Sequence, residues 1–413
     1  MKSDSRFSVG SNPVRQFVAE SIGSRSTHWP DSAILGVGRS KFEKRTSKSI
    51  GELAIDAATA AINDAGLNRD QIDAVVTFTL GDTIPAAGIS TILGLPSPRV
   101  ALTIEGGGNV FVSAMGTSAA LVLSGAASRV LCVRALKARS GKRLGGTNEP
   151  EYISTKGTRQ FTGPYGWSAY AHTFALVAKR FMMRYGIQDD AMAGAMFEVV
   201  RAERAFAVRN PRAIMRDNVS REQYSESPMV SDPIRIVDCC LESDGACALI
   251  IGRADQASTT PIRILSFVEG GGRWPGDDLL AFLDWDDWST IYASYVAAEL
   301  YREAGLSPSD IDFAMLYDNF SSNVLMQLEA FGFCEPGGVV EHMQRDGISE
   351  LARVPVNPHG GLMAEAYVHG MNGVAEAVDQ LRGRAEGVQL ARHSACLVAS
   401  GGVGAGSAMI LGI

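Results

Sequence analysis

Two stretches of this chain read alike. Residues 56–76 are DAATAAINDAGLNRDQIDAVV and residues 295–315 are YVAAELYREAGLSPSDIDFAM. At an offset of 239, Ala65-Gly66-Leu67 meets Ala304-Gly305-Leu306, and Ile72-Asp73 meets Ile311-Asp312. Each copy predicts an amphipathic helix, a glycine stop, a short acidic turn and an apolar strand. The ends of the two halves also correspond, since Arg129-Val130-Leu131-Cys132-Val133 and Ala395-Cys396-Leu397-Val398 both read as short buried strands. One helix-turn-strand match is common among unrelated α/β proteins. Two halves in the same order predict a duplicated α/β fold with parallel central sheets.

Working outward, residues 140–235 separate the halves. They hold two helical stretches, Ala169 to Tyr185 and Ala191 to Val208, and a polar connection from Asn210 to Asp232. Such an insertion would suit a lid over an active site. The chain divides as an N-terminal extension (1–32), a first half (33–139), the insertion (140–235), and the rest of the core with the second half (236–413). The extension is polar and Ser/Arg-rich, with no signal-peptide apolar region, and reads as a flexible or partner-wrapping segment. Asp4 and Glu20 count against a transit peptide.

A length of 413 residues gives core for two or three domains, and the composition is that of an ordinary globular enzyme. The net charge of −7 argues against nucleic acid as a partner. No apolar run is long enough to span a membrane. None of the six cysteines (Cys132, Cys239, Cys240, Cys247, Cys334, Cys396) has CxxC spacing, so neither a zinc site nor a redox pair is indicated. They read as free thiols of a cytoplasmic protein. No metal and no cofactor are expected.

Candidate chemistry sits in three places. Ile104-Glu105-Gly106-Gly107-Gly108 runs into an apolar stretch, Asn109 to Ser124, that predicts a buried helix. Leu316-Tyr317-Asp318-Asn319-Phe320 follows the second strand of the repeat, and Asn357-Pro358-His359-Gly360-Gly361 leads to Tyr367-Val368-His369-Gly370-Met371-Asn372. These segments, with Gln327 to Cys334, Asp238-Cys239-Cys240, Ser243 to Ala246 and Glu376 to Gly383, resemble the thiolase superfamily from about Ala33 onward. The resemblance is to the branch of sterol-carrier-protein-x-type and lipid-transfer-protein-like thiolases. It implies a five-layer α/β/α/β/α fold with two pseudo-equivalent halves.

Thiolases carry a nucleophilic cysteine at the start of the buried helix, and two histidines in the other two loops. Matched position by position, this chain has Gly108, Tyr317 and Tyr367. Claisen condensation and thiolysis both pass through an acyl-enzyme, which this set cannot form. The tyrosine pair resembles the steroid side-chain aldolases of the superfamily. That resemblance implies retro-aldol cleavage of a β-hydroxy acyl-CoA, giving a ketone and a shortened acyl-CoA such as propionyl-CoA, with coenzyme A present only as part of the substrate. It also implies a homodimer within a heterotetramer, formed with a small OB-fold, zinc-ribbon-type partner. Thiolase-like folds pair through an edge strand of the first half, here around Leu102.

Retro-aldol cleavage needs a base for the β-hydroxyl, an acid for the enolate carbon and donors for the enolate oxygen, and no covalent nucleophile. Tyr317 and Tyr367 are the candidate acid and base, in either order, with His369 and Asp318 beside them. Candidate donors are the N–H groups of Gly108 and Asn109 at the helix start and of Gly401 and Gly402 in the C-terminal glycine loop, with His359 near the substrate. A glycine at 108 also leaves space for a ring-bearing β-carbon. Tyr317 reads equally well as a core aromatic, His359 as a turn residue, and His172 as structural. Gly270-Gly271-Gly272 reads as a loop without a phosphate role. The competing functions are an acyltransferase using Cys334 or Cys396, and a non-catalytic acyl-CoA or lipid-binding scaffold.

Overall fold

The computed structural model describes residues 28–141, 159–167, 169–272 and 287–413. The N-terminal extension to residue 27, and residues 142–158 of the insertion, lie outside the described residues. Chain order begins with β1 (Ser32–Arg39) and the helix Ile50–Asp64. Ser49 starts that helix with a capping box, its hydroxyl accepting from the Glu52 N–H while Glu52 reaches back to the Ser49 N–H. Leu53, Ala54, Ala57, Ala58, Ala61 and Ile62 form its buried stripe at helical spacing. Gly66, at φ +66°, ends the helix. A turn at Arg69–Gln71 then leads into β2 (Ala74–Thr79).

The second copy follows the same course. The helix Tyr292–Ala304 stops at Gly305, turns at Pro308–Asp310 and enters the strand Phe313–Met315. The remaining strands are β3 (Val100–Glu105), β4 (Arg129–Lys137), β5 (Met229–Ser231), β6 (Ile234–Arg235), β7 (Asp244–Arg253), β8 (Ile262–Gly271), β9 (the Phe313–Met315 strand), β10 (Ala395–Ala399) and β11 (Ala405–Gly412). Nine of them form one sheet in the order β3-β2-β4-β7-β1-β8-β11-β10-β9. Read outward from the β1–β8 join, the two parts have the same order, with β1, β7, β4 and β2 answering to β8, β11, β10 and β9. The join itself is slight, two residue pairs at Ala33–Arg263 and Ile34–Ile262.

Between the two parts lie the helices Phe111–Leu123 and Met371–Leu381, which touch strands of both. The helix Ile50–Asp64 covers the outer face of β1, β4 and β7, and Tyr292–Ala304 covers β8 and β11. The result is five layers: helix, sheet, paired buried helices, sheet, helix. Burial around most of the helix Phe111–Leu123 explains why Asn109 to Ser124 is so largely apolar.

Two expectations change. The sheet is mixed, not parallel: β2 pairs in parallel with β3 and β4, and β9 with β10, while β7 and β11 return antiparallel. The repeat covers only the parallel strands, so it could not report the returning ones. β7, beyond the insertion, completes the first part. Gly270 and Gly271 belong to β8 and pair with Gly406 and Ala405, and it is Gly406 on β11 that lies against the Tyr292 ring, where a β-carbon would clash.

The described part of the insertion is a packed layer. Its helix Asp189–Arg209 lies on the helices Ser321–Ala330, Val339–Arg345 and Gly361–Ala364. His172 is structural, its Nδ1 accepting the Ala169 N–H at 3.2 Å at the head of the helix Tyr170–Tyr185. Among the described residues no helix is long and apolar enough to cross a membrane.

Candidate active site

Tyr317 lies just past β9, and its backbone is held on both sides. Its N–H donates to Gln327 Oε1 at 3.1 Å, and its carbonyl accepts from Gln327 Nε2 at 2.8 Å and Asn323 Nδ2 at 3.0 Å. The ring stacks on Phe111, the first residue of the buried helix, with centroids 6.2 Å apart. Two glycines close on the rest of the side chain. A β-carbon built on Gly108 would overlap the Tyr317 hydroxyl, and one built on Gly401 would overlap its ring. The Gly401 N–H donates to the Gly108 carbonyl at 2.8 Å and fastens these two glycines around the phenol.

Two readings of the sequence are corrected here. The volume opened by Gly108 is filled by the Tyr317 side chain and is not room for substrate. The Gly401 N–H is already given to Gly108 and is not a free oxyanion donor. Asn109 shapes the turn, its Oδ1 accepting the Gly107 N–H at 3.2 Å.

Tyr367 meets Tyr317 hydroxyl to hydroxyl at 3.0 Å. Its N–H donates to Ser243 Oγ at 2.8 Å, so the chain leading into β7 positions this loop. Burial pushes both phenols well above their ordinary range, and Tyr367 is raised further by Tyr317 beside it. The Arg134 guanidinium pulls Tyr367 back down.

Arg134, on β4, is wholly buried. It donates through Nη1 to the Phe78 carbonyl at 2.8 Å, through Nη2 to Asp82 Oδ2 at 2.7 Å, and through Nε to His369 Nδ1 at 3.1 Å. The His369 ring stands edge-on to Tyr367, with centroids 5.0 Å apart. Burial, and then the Arg134 charge, hold His369 down at about 3.

Asp318 and His359 do not join the phenols. Asp318 turns away, its Oδ2 accepting the N–H groups of Leu362 and Met363 at 2.6 and 3.0 Å. Burial raises it to about 6, and the buried Glu203 of the insertion is raised well above the carboxyl range by burial and by Asp318 beside it. Asp318 is a tie for the loop bearing Tyr367. His359 lies behind Tyr317 on a cavity of about 10 Å³. Burial lowers it to about 4, with Glu365 Oε2 3.7 Å from its Nε2.

Sequence reasoning missed Arg134, Asp82, Ser243, Glu203, Gln327 and Cys240. An arginine inside the apolar run Val130 to Leu136 was the available signal, because a buried guanidinium needs partners. Cys240 is the one thiol close enough to raise both phenols. Burial raises all six thiols, Cys334 to about 12 and Cys396 well above its usual value, so none is a resting thiolate. Cys396 lies inside β10.

Comparison with known proteins places the chain in a family. The family model described as Thiolase C-terminal domain-like matches residues 278–412. The steroid side-chain-cleaving aldolase of Thermomonospora curvata is 32% identical over 359 residues, which cover 85% of this chain and 90% of that one. The 17-hydroxy-3-oxo-4-pregnene-20-carboxyl-CoA lyase of Mycobacterium tuberculosis is 32% identical over 371 residues, covering 85% and 92%. The solved structure of the Ltp2-ChsH2(DUF35) aldolase superposes with a TM-score of 0.84 at 32% identity, covering 94% of this chain and 99% of that one. With its nucleophile position filled by a phenol, this chain belongs to the thiolase superfamily, in the family of the steroid side-chain-cleaving aldolases.

Proposed function

We propose that this protein is a lyase that cleaves a β-hydroxy acyl-CoA by retro-aldol reaction, its substrate a steroid side-chain CoA thioester and its products a ketone and a shortened acyl-CoA such as propionyl-CoA. The observation that carries this reading is the 3.0 Å contact of two phenols in the space a cysteine would need. Two phenols in contact titrate as one unit. When the pair has lost one proton, the remaining O–H supports the phenolate, and base and acid stand side by side.

The phenolate takes the β-hydroxyl proton. The hydroxyl oxygen's electrons form the ketone as the carbon–carbon bond breaks, and that bond's electrons pass to the thioester as an enolate. The neighbouring phenol protonates the α-carbon, and one proton crossing between the tyrosines restores the pair. Gly108 and Asn109 at the start of the buried helix, and Gly402 in the C-terminal glycine loop beside them, supply N–H donors for the enolate oxygen. The sequence of steps balances without a metal or cofactor, and we expect none. The likeness to the Ltp2-ChsH2(DUF35) aldolase supports a partner protein, and the edge of β3, beyond which the described residues add no strand, supports a homodimer.

The test is an assay of the protein, co-expressed with its partner, on a β-hydroxy acyl-CoA and on acetoacetyl-CoA with free CoA. Cleavage of the first alone is expected. Tyr317→Phe and Tyr367→Phe should each lose about 100-fold or more in rate, the usual worth of a positioned proton-transfer group. Serine variants of the six cysteines should keep the chemistry. A dead but folded cysteine variant beside active phenylalanine variants would make the protein an acyltransferase.

A further inference from the structure

His369 has the residue type of a general base, but its surroundings leave it no such role. Arg134 presents only donors, and two of its nitrogens, Nε at 3.1 Å and Nη2 at 2.9 Å, converge on Nδ1. A nitrogen facing two donors must accept. The ring proton of the neutral imidazole therefore sits on Nε2. Asp82, 2.7 Å from Nη2, and the Phe78 carbonyl hold the guanidinium in this orientation.

Nε2 looks toward the turn where the nucleophile is missing. A β-carbon built on Gly107 would lie 3.3 Å from it. Among the described residues none accepts a hydrogen bond from Nε2. The backbone is set for this direction too, with His369 at φ +50°, a left-handed conformation uncommon for a side-chain-bearing residue.

We propose that His369 is a permanently neutral hydrogen-bond donor to the substrate's thioester oxygen through Nε2, fixed in that tautomer by Arg134 and Asp82, and is neither acid nor base in the reaction. Arg134 and Asp82 are positioning residues that act through it. The groups facing the imidazole are Arg134 from β4, Asp82 from the loop after β2, and Tyr367 from its own loop, with the Phe78 ring 6.1 Å away. Burial first, and then the Arg134 charge, oppose protonation against the contrary pull of Asp82, in keeping with the low imidazole pKa of about 3. A neutral imidazole loses no proton as charge develops on the oxygen, so it stabilises the enolate at every pH where the phenol pair works.

This inference rests on the retro-aldol reading, and the two can fail separately. Protein labelled with ¹⁵N-histidine, in complex with its partner, is titrated between about pH 5 and pH 9. The signal missing from His369→Gln should show a protonated Nε2 and a bare Nδ1 throughout. Titration inside that window, or a proton on Nδ1, overturns the proposal whether or not the enzyme cleaves anything. Kinetics give the second readout. Glutamine can accept from Arg134 and donate from its amide, so His369→Gln should lose no more than about 10-fold in kcat and keep the shape of the pH profile. His369→Leu should lose about 100-fold or more, the worth of one oxyanion donor. Equal losses in the two variants overturn the donor role. If the leucine variant does not fold, an altered pH profile in His369→Gln overturns it instead. A wild-type protein with the stated tautomer but no cleavage of β-hydroxy acyl-CoA rejects the retro-aldol reading alone.

Discussion

A side chain at position 108 and the phenol of Tyr317 are alternatives for one volume. The glycine was legible in the sequence as a missing nucleophile, but its cause was not, because the two positions lie 209 residues apart and meet only when β9 docks beside the buried helix. The claim can be put to a double-mutant cycle. Gly108→Ala alone forces a methyl group into the Tyr317 hydroxyl, and should cost about 1–3 kcal/mol or expel the ring from its seat between Gly108 and Gly401. Tyr317→Ala alone leaves a cavity and should cost about 3–5 kcal/mol. Together the changes should cost less than their sum by about 1 kcal/mol or more, since the alanine methyl then enters empty space. Urea denaturation of the four proteins measures this coupling. Simple additivity would mean that Tyr317 is not where the structure puts it. By the same steric reasoning, Gly108→Cys should not restore thiolase activity, because the new thiol would displace the phenol before it could reach a substrate.

The elements that bring the two tyrosines together come from three parts of the chain, which explains how unevenly the site could be read beforehand. The repeat, with its glycine stops and apolar strands, announces itself through local periodicity, and helices in the insertion do the same at Tyr170–Tyr185 and Asp189–Arg209. Both tyrosines sit in motifs with local signatures. Their supports do not. Glu203 is one more charged residue on a long helix until Asp318 and Asn357 meet it, with Asn357 Nδ2 2.8 Å from its Oε1. Asp318 looked like chemistry because it follows Tyr317, yet alternation along an extended segment sends neighbouring side chains opposite ways. The Glu203–Asp318 contact joins insertion to catalytic loop through a carboxyl pair that needs a proton. Both groups are raised by burial, so the folded state holds protons that the unfolded chain releases. Stability from this source is greatest at or below the ordinary carboxyl range, and falls as pH rises from there through about 6 and beyond. Glu203→Gln keeps a donor for Asp318 and removes one of the two titrations. Urea midpoints between about pH 5 and pH 8 should fall more steeply for the wild type, by up to about 1.4 kcal/mol per pH unit for each proton concerned. Parallel curves would show that the two carboxyls share nothing.

At the scale of the whole molecule the two halves match in order but differ at their outer edges. Beyond β9 the chain at 355–357 adds a bridge: the Ala314 N–H donates to the Pro355 carbonyl, and the Asn357 N–H to the Ala314 carbonyl, each at 3.0 Å. That edge is closed from within. Beyond β3 the described residues add no strand, and the outward-facing side chains of Ala101, Thr103 and Glu105 are exposed. The strand reads Val-Ala-Leu-Thr-Ile-Glu, with a single charge and no proline or lysine to keep another strand away. Six residues of unblunted edge on one half alone mark the place where a second copy should add its own β3 across a two-fold axis. Neighbouring proline variants can separate this contact from the fold. Successive residues of a strand turn their N–H groups to opposite neighbours, so of Ala101→Pro and Leu102→Pro one removes a donor from the free edge and the other a donor from the ladder with β2. Light scattering at about micromolar concentration should find two chains for the wild type. One proline variant should become a monomer with a nearly unchanged urea midpoint, and the other should lose stability of the chain itself. A monomeric wild type, or two proline variants that both remain dimeric and fully stable, would leave β3 as an ordinary exposed edge and require the second copy to dock elsewhere.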